Sequence, residues 1–321
     1  MRIFSILVFR RWSIRRPALT SVLALVLCLC FGALSLPADD VMIWEIRHPE
    51  RPGILFLAGS VHLGRADMYP LDRVYDEALE KSDYMVFEIA APNSMKAAAF
   101  TMKNGMYPAR SDVNLRTLLG EKDFARLCGA IRVVAPASLV RMKPWVVSML
   151  MEVEEAKKLN FDENCGMEKV FHAAGGTRPK RSLETELEQL KLISDPAVEE
   201  EILADIRKNL SDPEKLRDSI RLLVPAVREG KTGPLLQILD ETRRDMPGVY
   251  RNLIASRNQK MARNLFEMLK EEKTGLVLVG AGHCLGPGSI QEHLERSGCT
   301  SVRLKFTGEP GKIQPGGSHA R

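Results

Sequence analysis

The sequence lacks the motifs by which most enzyme classes are recognised. It has no G-x-x-x-x-G-K-[ST] phosphate loop, no G-x-G-x-x-G dinucleotide turn, no H-E-x-x-H zinc helix and no G-x-S-x-G nucleophile elbow. Aromatic residues make up only 6% of its 321 positions, and no basic stretch interleaves with them, so nucleic acid is not an expected partner. A formal charge of +5 would argue otherwise, but 5 of the 46 Lys and Arg lie in the first 35 residues, leaving 41 against 41 Asp and Glu. Cysteine is sparse: of 6, Cys28 and Cys30 sit in an N-terminal apolar run, and Cys128, Cys165, Cys284 and Cys299 are too scattered for a zinc cluster or a disulfide scaffold. They are either buried thiols or, after export, include a Cys284 to Cys299 bridge. Neither Cys28 nor Cys30 follows a small residue as a lipoprotein acceptor would.

What is present begins with a targeting signature. Arg2, Arg10, Arg11, Arg15 and Arg16, with no acidic residue, precede an apolar run from Ala18 to Leu34. Residues 1–35 therefore read as a signal peptide cut after Ser35, with an export route left open because neither arginine pair is followed by the apolar residues of a twin-arginine signal. The mature protein is expected in the periplasm or secreted. An uncleaved segment would be its one contact with a membrane.

Two stretches share one unusual form. "ILFLAGSVHL" (Ile54–Leu63) and "GLVLVGAGHC" (Gly275–Cys284) each run from apolar residues through G-x-x-H, ending at His62 and His283. Continuous apolar runs are the mark of strands buried on both faces. After the first, Leu71, Val74, Tyr75, Ala78 and Leu79 recur at helical spacing behind Pro70, and "YMVFEI" closes the unit as a strand. The second repeats the order, with a helix from about Gly288 to Arg296 and "SVRLKF" as its closing strand. The expectation is an α/β fold in which two βαβ G-x-x-H modules form a mixed sheet core around a large helical insert. A first module at 40–92, an insert at 93–272, a second module at 273–307 and a flexible tail at 308–321 follow. Ligands in such folds lie at the carboxyl ends of the strands, where both histidines emerge, each on a glycine expected to permit a sharp turn.

Glu88 ends the strand expected beside the first G-x-x-H strand. A carboxylate there must be matched by a cation, a donor or a metal. A salt bridge to a buried arginine would satisfy it; so would convergence with His62 and His283, since two imidazoles and one carboxylate make an open metal site whose free position holds water. In "LIASRNQKMARNLFEML", Leu253, Ile254, Met261 and Leu265 form the apolar stripe, and Arg257 falls at its edge, able to hold a carboxylate or an oxyanion. "KPW" (Lys143–Trp145) and "LET" (Leu183–Thr185) are candidate rim elements without a chemical signature. Cys284 adjoins His283, but neighbours on an extended turn point apart. His48, His172 and His293 have no matching partners, and His319 falls in the tail.

Taken in order, "LAGSVHLG", "YMVFEI", "KPW", "LETELEQL", "SRNQKMA" and above all "VGAGHCLGPGSI" resemble the TraB/GumN family, which also includes the animal Tiki proteases. The resemblance implies a fold related to the erythromycin esterase and haem-binding ChaN-like group. It also implies a site at His62, Glu88 and His283, with Arg257 and Asn258 beside it. Glu168, in "GMEK", stands where the family commonly has aspartate, and Cys284 replaces an apolar residue. The expected function is an exported, peptidase-like hydrolase that depends on a divalent metal ion held by His62, His283 and Glu88. Arg257 would stabilise the scissile carbonyl, and Glu88 would act as general base if it is not a ligand. The rivals are a binding protein using the same cleft for a peptide, a haem or another small molecule, and a metal-free, esterase-like site.

Overall fold

The computed structural model describes residues 40–91 and 94–316. The expected signal peptide and His319 lie outside the described residues. Six strands, β1 (Ile43–His48), β2 (Arg51–Ser60), β3 (Tyr84–Phe87), β4 (Lys180–Ser182), β5 (Thr274–Gly280) and β6 (Thr300–Arg303), form one mixed sheet. Their order is β4-β3-β5-β2-β1-β6. β4, β3, β5 and β2 run parallel, and β1 pairs antiparallel with both β2 and β6. The α/β expectation is met, with many helices around the sheet.

The two β-helix-β units are interleaved, whereas the sequence suggested a tandem arrangement. β2 leads through the Arg73–Glu80 helix to β3, but β5 lies between those strands and pairs with each. β5 is buried from Gly275 to Gly280 and lies near the middle of the sheet, with a parallel strand on either side. Glu88 therefore follows a strand beside the second G-x-x-H strand, not beside the first. The second unit runs from β5 through the Ile290–Arg296 helix to β6 at the far edge.

Local chemistry fixes the remaining boundaries. Asp72 caps the first helix by accepting from Val74 N at 2.9 Å, so that helix starts after Asp72 and not at Pro70. β4, in "KRS", carries no apolar signal and was not expected. Residues beyond 308, expected as a flexible tail, are held on the first helix as far as Ile313. The Asp76 carboxylate accepts from the Lys312 and Ile313 amides, and the Ile313 side chain is buried.

The insert is helical, as expected, and has its own apolar core, in which Leu115, Phe124, Trp145, Val147, Ile202 and Ile206 meet. Trp145 of the "KPW" stretch belongs to that core. Just before the Ser256–Met268 helix the chain makes a π-helical segment, Arg251–Ala255. Such segments re-aim the residues that follow, which here are Arg257 and Asn258.

Candidate functional site

The three parallel strands β2, β5 and β3 end side by side, and each delivers a polar residue to the same rim. In the parallel register Ser60 faces Gly280 across the β2–β5 pair, which sets the two G-x-x-H turns next to one another. The Gly280–Cys284 turn is 3-10 helical and places His283 in the interior. The first turn is held from outside: Met167 N donates to Val61 O at 2.8 Å, and Gly166 lies so close to His62 O that a Cβ would stand 2.0 Å from it.

Glu88 follows β3 and is buried. Its Oε1 accepts from the Gly280 amide at 2.6 Å, and its Oε2 from Gln189 Nε2 at 3.0 Å and Arg257 Nη2 at 2.5 Å. Glu184 belongs to the "LET" stretch, and its amide donates to Glu88 O at 3.0 Å, so the two glutamates lie abreast. The Glu184 carboxylate is also buried and accepts from Arg257 Nε at 2.9 Å, from Arg257 Nη2 and from Gln189 Nε2 at 2.8 Å. Arg257 Nη1 donates to Leu253 O at 3.0 Å. Burial alone would raise the Glu88 pKa; Arg257 above all, with the Gly280 N–H, outweighs it and holds the carboxyl well below the usual range. The salt bridge and the convergence with histidine occur together. Arg257 spends its fork on the two glutamates, which makes it a positioning residue.

Both imidazoles are anchored through Nδ1. Asn258 Nδ2 donates to Gly288 O at 2.7 Å, which leaves Asn258 Oδ1 facing His283 Nδ1 at 2.5 Å. That nitrogen must carry the proton, so the lone pair is on Nε2, 3.7 Å from Glu88 Oε1. Burial, with Arg257 nearby, lowers the His283 pKa to about 3, and the ring is neutral. His62 Nδ1 lies 3.2 Å from Glu168 Oε1, which also accepts from Ser60 Oγ. Burial opposes protonation of His62, but Glu168, through its charge and hydrogen bond, and Glu88 outweigh it, so that pKa is raised.

Convergence is visible at Gly280. A Cβ built there would stand 3.2 Å from Glu88 Oε1, 3.7 Å from His283 Cδ2 and 3.7 Å from His62 Nε2. The φ of Gly280 is −51°, open to any residue, so this glycine supplies space and not the sharp turn expected of it. In kind, the donor set suits a divalent cation: two imidazole nitrogens whose far edges are hydrogen-bonded, one carboxylate, and more carboxylates than cations around them. Among the described residues no three His, Cys, Asp or Glu stand close enough to hold an ion as they are.

The TraB/PrgY/gumN family model matches residues 42–303. The chain belongs to the TraB/PrgY/gumN family. No curated protein and no solved structure matches it. In this family member His62, Glu88, Arg257, Asn258 and His283 lie together at one rim of the sheet. Four participants were not singled out as site residues. Glu184 was seen only as part of a rim element, Glu168 only as a departure from the family, and Gln189 and Ser60 not at all. The one available signal was the capping box of "TELE", in which Thr185 and Glu188 start the Glu186–Ile193 helix and so fix the facing of Gln189. Cys284 is a free thiol, buried, with its pKa pushed up by that burial and by Glu88, and Cys299 is likewise free.

Proposed function

We propose that this chain is an exported hydrolase, acting on peptides, whose water-activating centre is His62, His283 and Glu88. One observation carries the reading: each imidazole gives Nδ1 to a fixed acceptor, Glu168 or Asn258, beside the same buried carboxylate. Rings anchored in this way are poised to use Nε2 as a ligand or a base. A divalent ion held by His62, His283 and Glu88 would lower the pKa of a bound water toward neutrality and so supply a nucleophile. Arg257, Gln189 and the Gly280 amide keep Glu88 ionised and oriented, and Asn258 keeps His283 in the tautomer that offers Nε2. Residues 1–35 carry the export reading.

A second reading is favoured by the His62–Glu168 pair, whose Nδ1 and Oε1 lie 3.2 Å apart. Without an ion, His62 backed by Glu168 would take a proton from water and return it to the leaving group, an esterase-like use of His and Glu.

Metal analysis of the purified protein, His62→Ala and His283→Ala, joined to a peptide-library cleavage screen with and without chelator, separates these. Stoichiometric metal lost in both variants, with cleavage abolished by chelator, is the expected result. Cleavage at full rate in chelator would favour the His62–Glu168 mechanism. No cleavage by wild type under any metal would overturn the hydrolase and leave a peptide- or haem-binding cleft.

A further inference from the structure

The Ser94–Asn104 helix begins six residues after Glu88 and contacts the Glu186–Ile193 helix that carries Gln189. One side of it, with Ala97, is buried. The other leaves Met95, Ala98, Ala99 and Met102 exposed at spacings of three, four and seven, a second apolar face that no described residue covers. Met95 and Met102 are 81% and 77% exposed, more than any other large apolar side chain among the described residues. Val113 and Val133, at 49% and 61%, lie in the same part of the chain. A solvated protein seldom leaves methionines open at this spacing without an occupant.

Charge indicates which occupant. Residues 94–143 hold 9 Lys and Arg against 3 Asp and Glu, whereas the rest of the chain beyond residue 35 holds 32 (41 less 9) against 38 (41 less 3). Lys96 and Lys103 flank the methionines at the same seven-residue spacing, and both are exposed. Two of the three acids are paired within the segment, Asp123 with Arg126 at 3.0 Å and Glu121 with Arg116 at 3.8 Å. A second copy would bring like charge against like. The first 35 residues carry five arginines and no acid, so they offer no complement either. A surface combining negative charge with accessible apolar matter is an anionic lipid bilayer, into which a methionine face dips while lysines meet the headgroups. No helix among the described residues is long and apolar enough to cross a membrane, so the contact is peripheral.

We propose that the exposed Met95–Met102 face of this helix, with the basic segment it opens, is a docking surface for anionic membrane lipid. It stands independently of the hydrolase reading. Peroxide oxidation of Met95 and Met102 in the full chain, followed by peptide mass spectrometry, tests it. The comparison is between vesicles of phosphatidylcholine alone and vesicles that also contain phosphatidylglycerol. Oxidation of both methionines should slow several-fold with phosphatidylglycerol only, recover in high salt, and stay fast in the Lys96→Glu/Lys103→Glu variant. Met42 and Met85, fully buried, stay unreacted while the fold is intact and serve as the internal control. Equal rates with the two vesicle types, protection that survives the charge reversal, or protection without vesicles at high protein concentration would each overturn the proposal. The last would assign the face to a second copy.

Discussion

At the scale of single residues, the site is a set of hydrogen bonds that fix which nitrogen of each histidine is free. Asn258→Ala removes the acceptor for His283 Nδ1, 2.5 Å away, and lets the ring change tautomer. We expect a tenfold to hundredfold loss of metal affinity or of kcat/KM on the peptide the library identifies, with a stability loss of about 1–3 kcal/mol because His283 Nδ1 and Gly288 O both lose their partner. An unchanged kcat/KM would mean that His283 needs no such anchor. Glu184→Ala should behave differently, because it leaves a buried guanidinium with one carboxylate in place of two. Urea unfolding should report a loss of about 2–4 kcal/mol. A value near zero would mean that solvent reaches Arg257. His62, His283 and Glu88 were legible because an apolar run that stops at a polar residue marks a strand end. Arg257 was legible from its place beside an apolar stripe, and Asn258 only from the family likeness. Glu184 and Gln189 were not, since a glutamate and a glutamine amid polar neighbours look like any solvated pair, and only the fold shows that they enclose Arg257.

At the scale of elements, the parallel register of β2 and β5 makes one site from two distant turns, and Gly280 is where that register is most sensitive. Its φ suits alanine, so Gly280→Ala carries no backbone strain. The new methyl would stand 3.2 Å from Glu88 Oε1, closer than an unforced contact. The Glu88 carboxylate must give by a few tenths of an ångström, which moves it relative to the two imidazoles. Stability should fall by roughly 1 kcal/mol, as for modest overpacking, while activity falls on the order of a hundredfold. Circular dichroism melts set beside cleavage rates check this; equal activity would show that Glu88 does not work in its present position. The strand content was legible, but the strand order was not. Both βαβ units have the right parts in the right sequence, yet no residue pattern states that β5 inserts between β2 and β3. β4 escaped notice because "KRS" at a sheet edge is stabilised by backbone pairing, with no apolar residue to mark it.

At the scale of the whole molecule, two apolar cores share the load, one around the sheet and one in the insert. The second contains a weak point unrelated to the site. Glu152, on the Pro144–Lys158 helix, is buried, and its Oε2 has no hydrogen-bond partner among the described residues. Across from it, on the Glu199–Ser211 helix, Asp205 is also buried and accepts from Asn209 Nδ2 at 2.9 Å. Burial first, and then the Asp205 charge, raise the Glu152 pKa well above its ordinary 4.5. The folded protein thus holds a proton on Glu152 over a range where the unfolded chain has released it. Stability from this group is complete below pH 4.5 and declines as pH rises toward the folded-state pKa. Glu152→Gln keeps the neutral form at every pH. The variant should match wild type near pH 4 and exceed it by a margin that grows as pH rises above 4.5. Thermal unfolding of both proteins across that range gives the difference directly, with every other titrating group common to the two. Parallel curves would mean that Glu152 titrates normally and that water enters the insert.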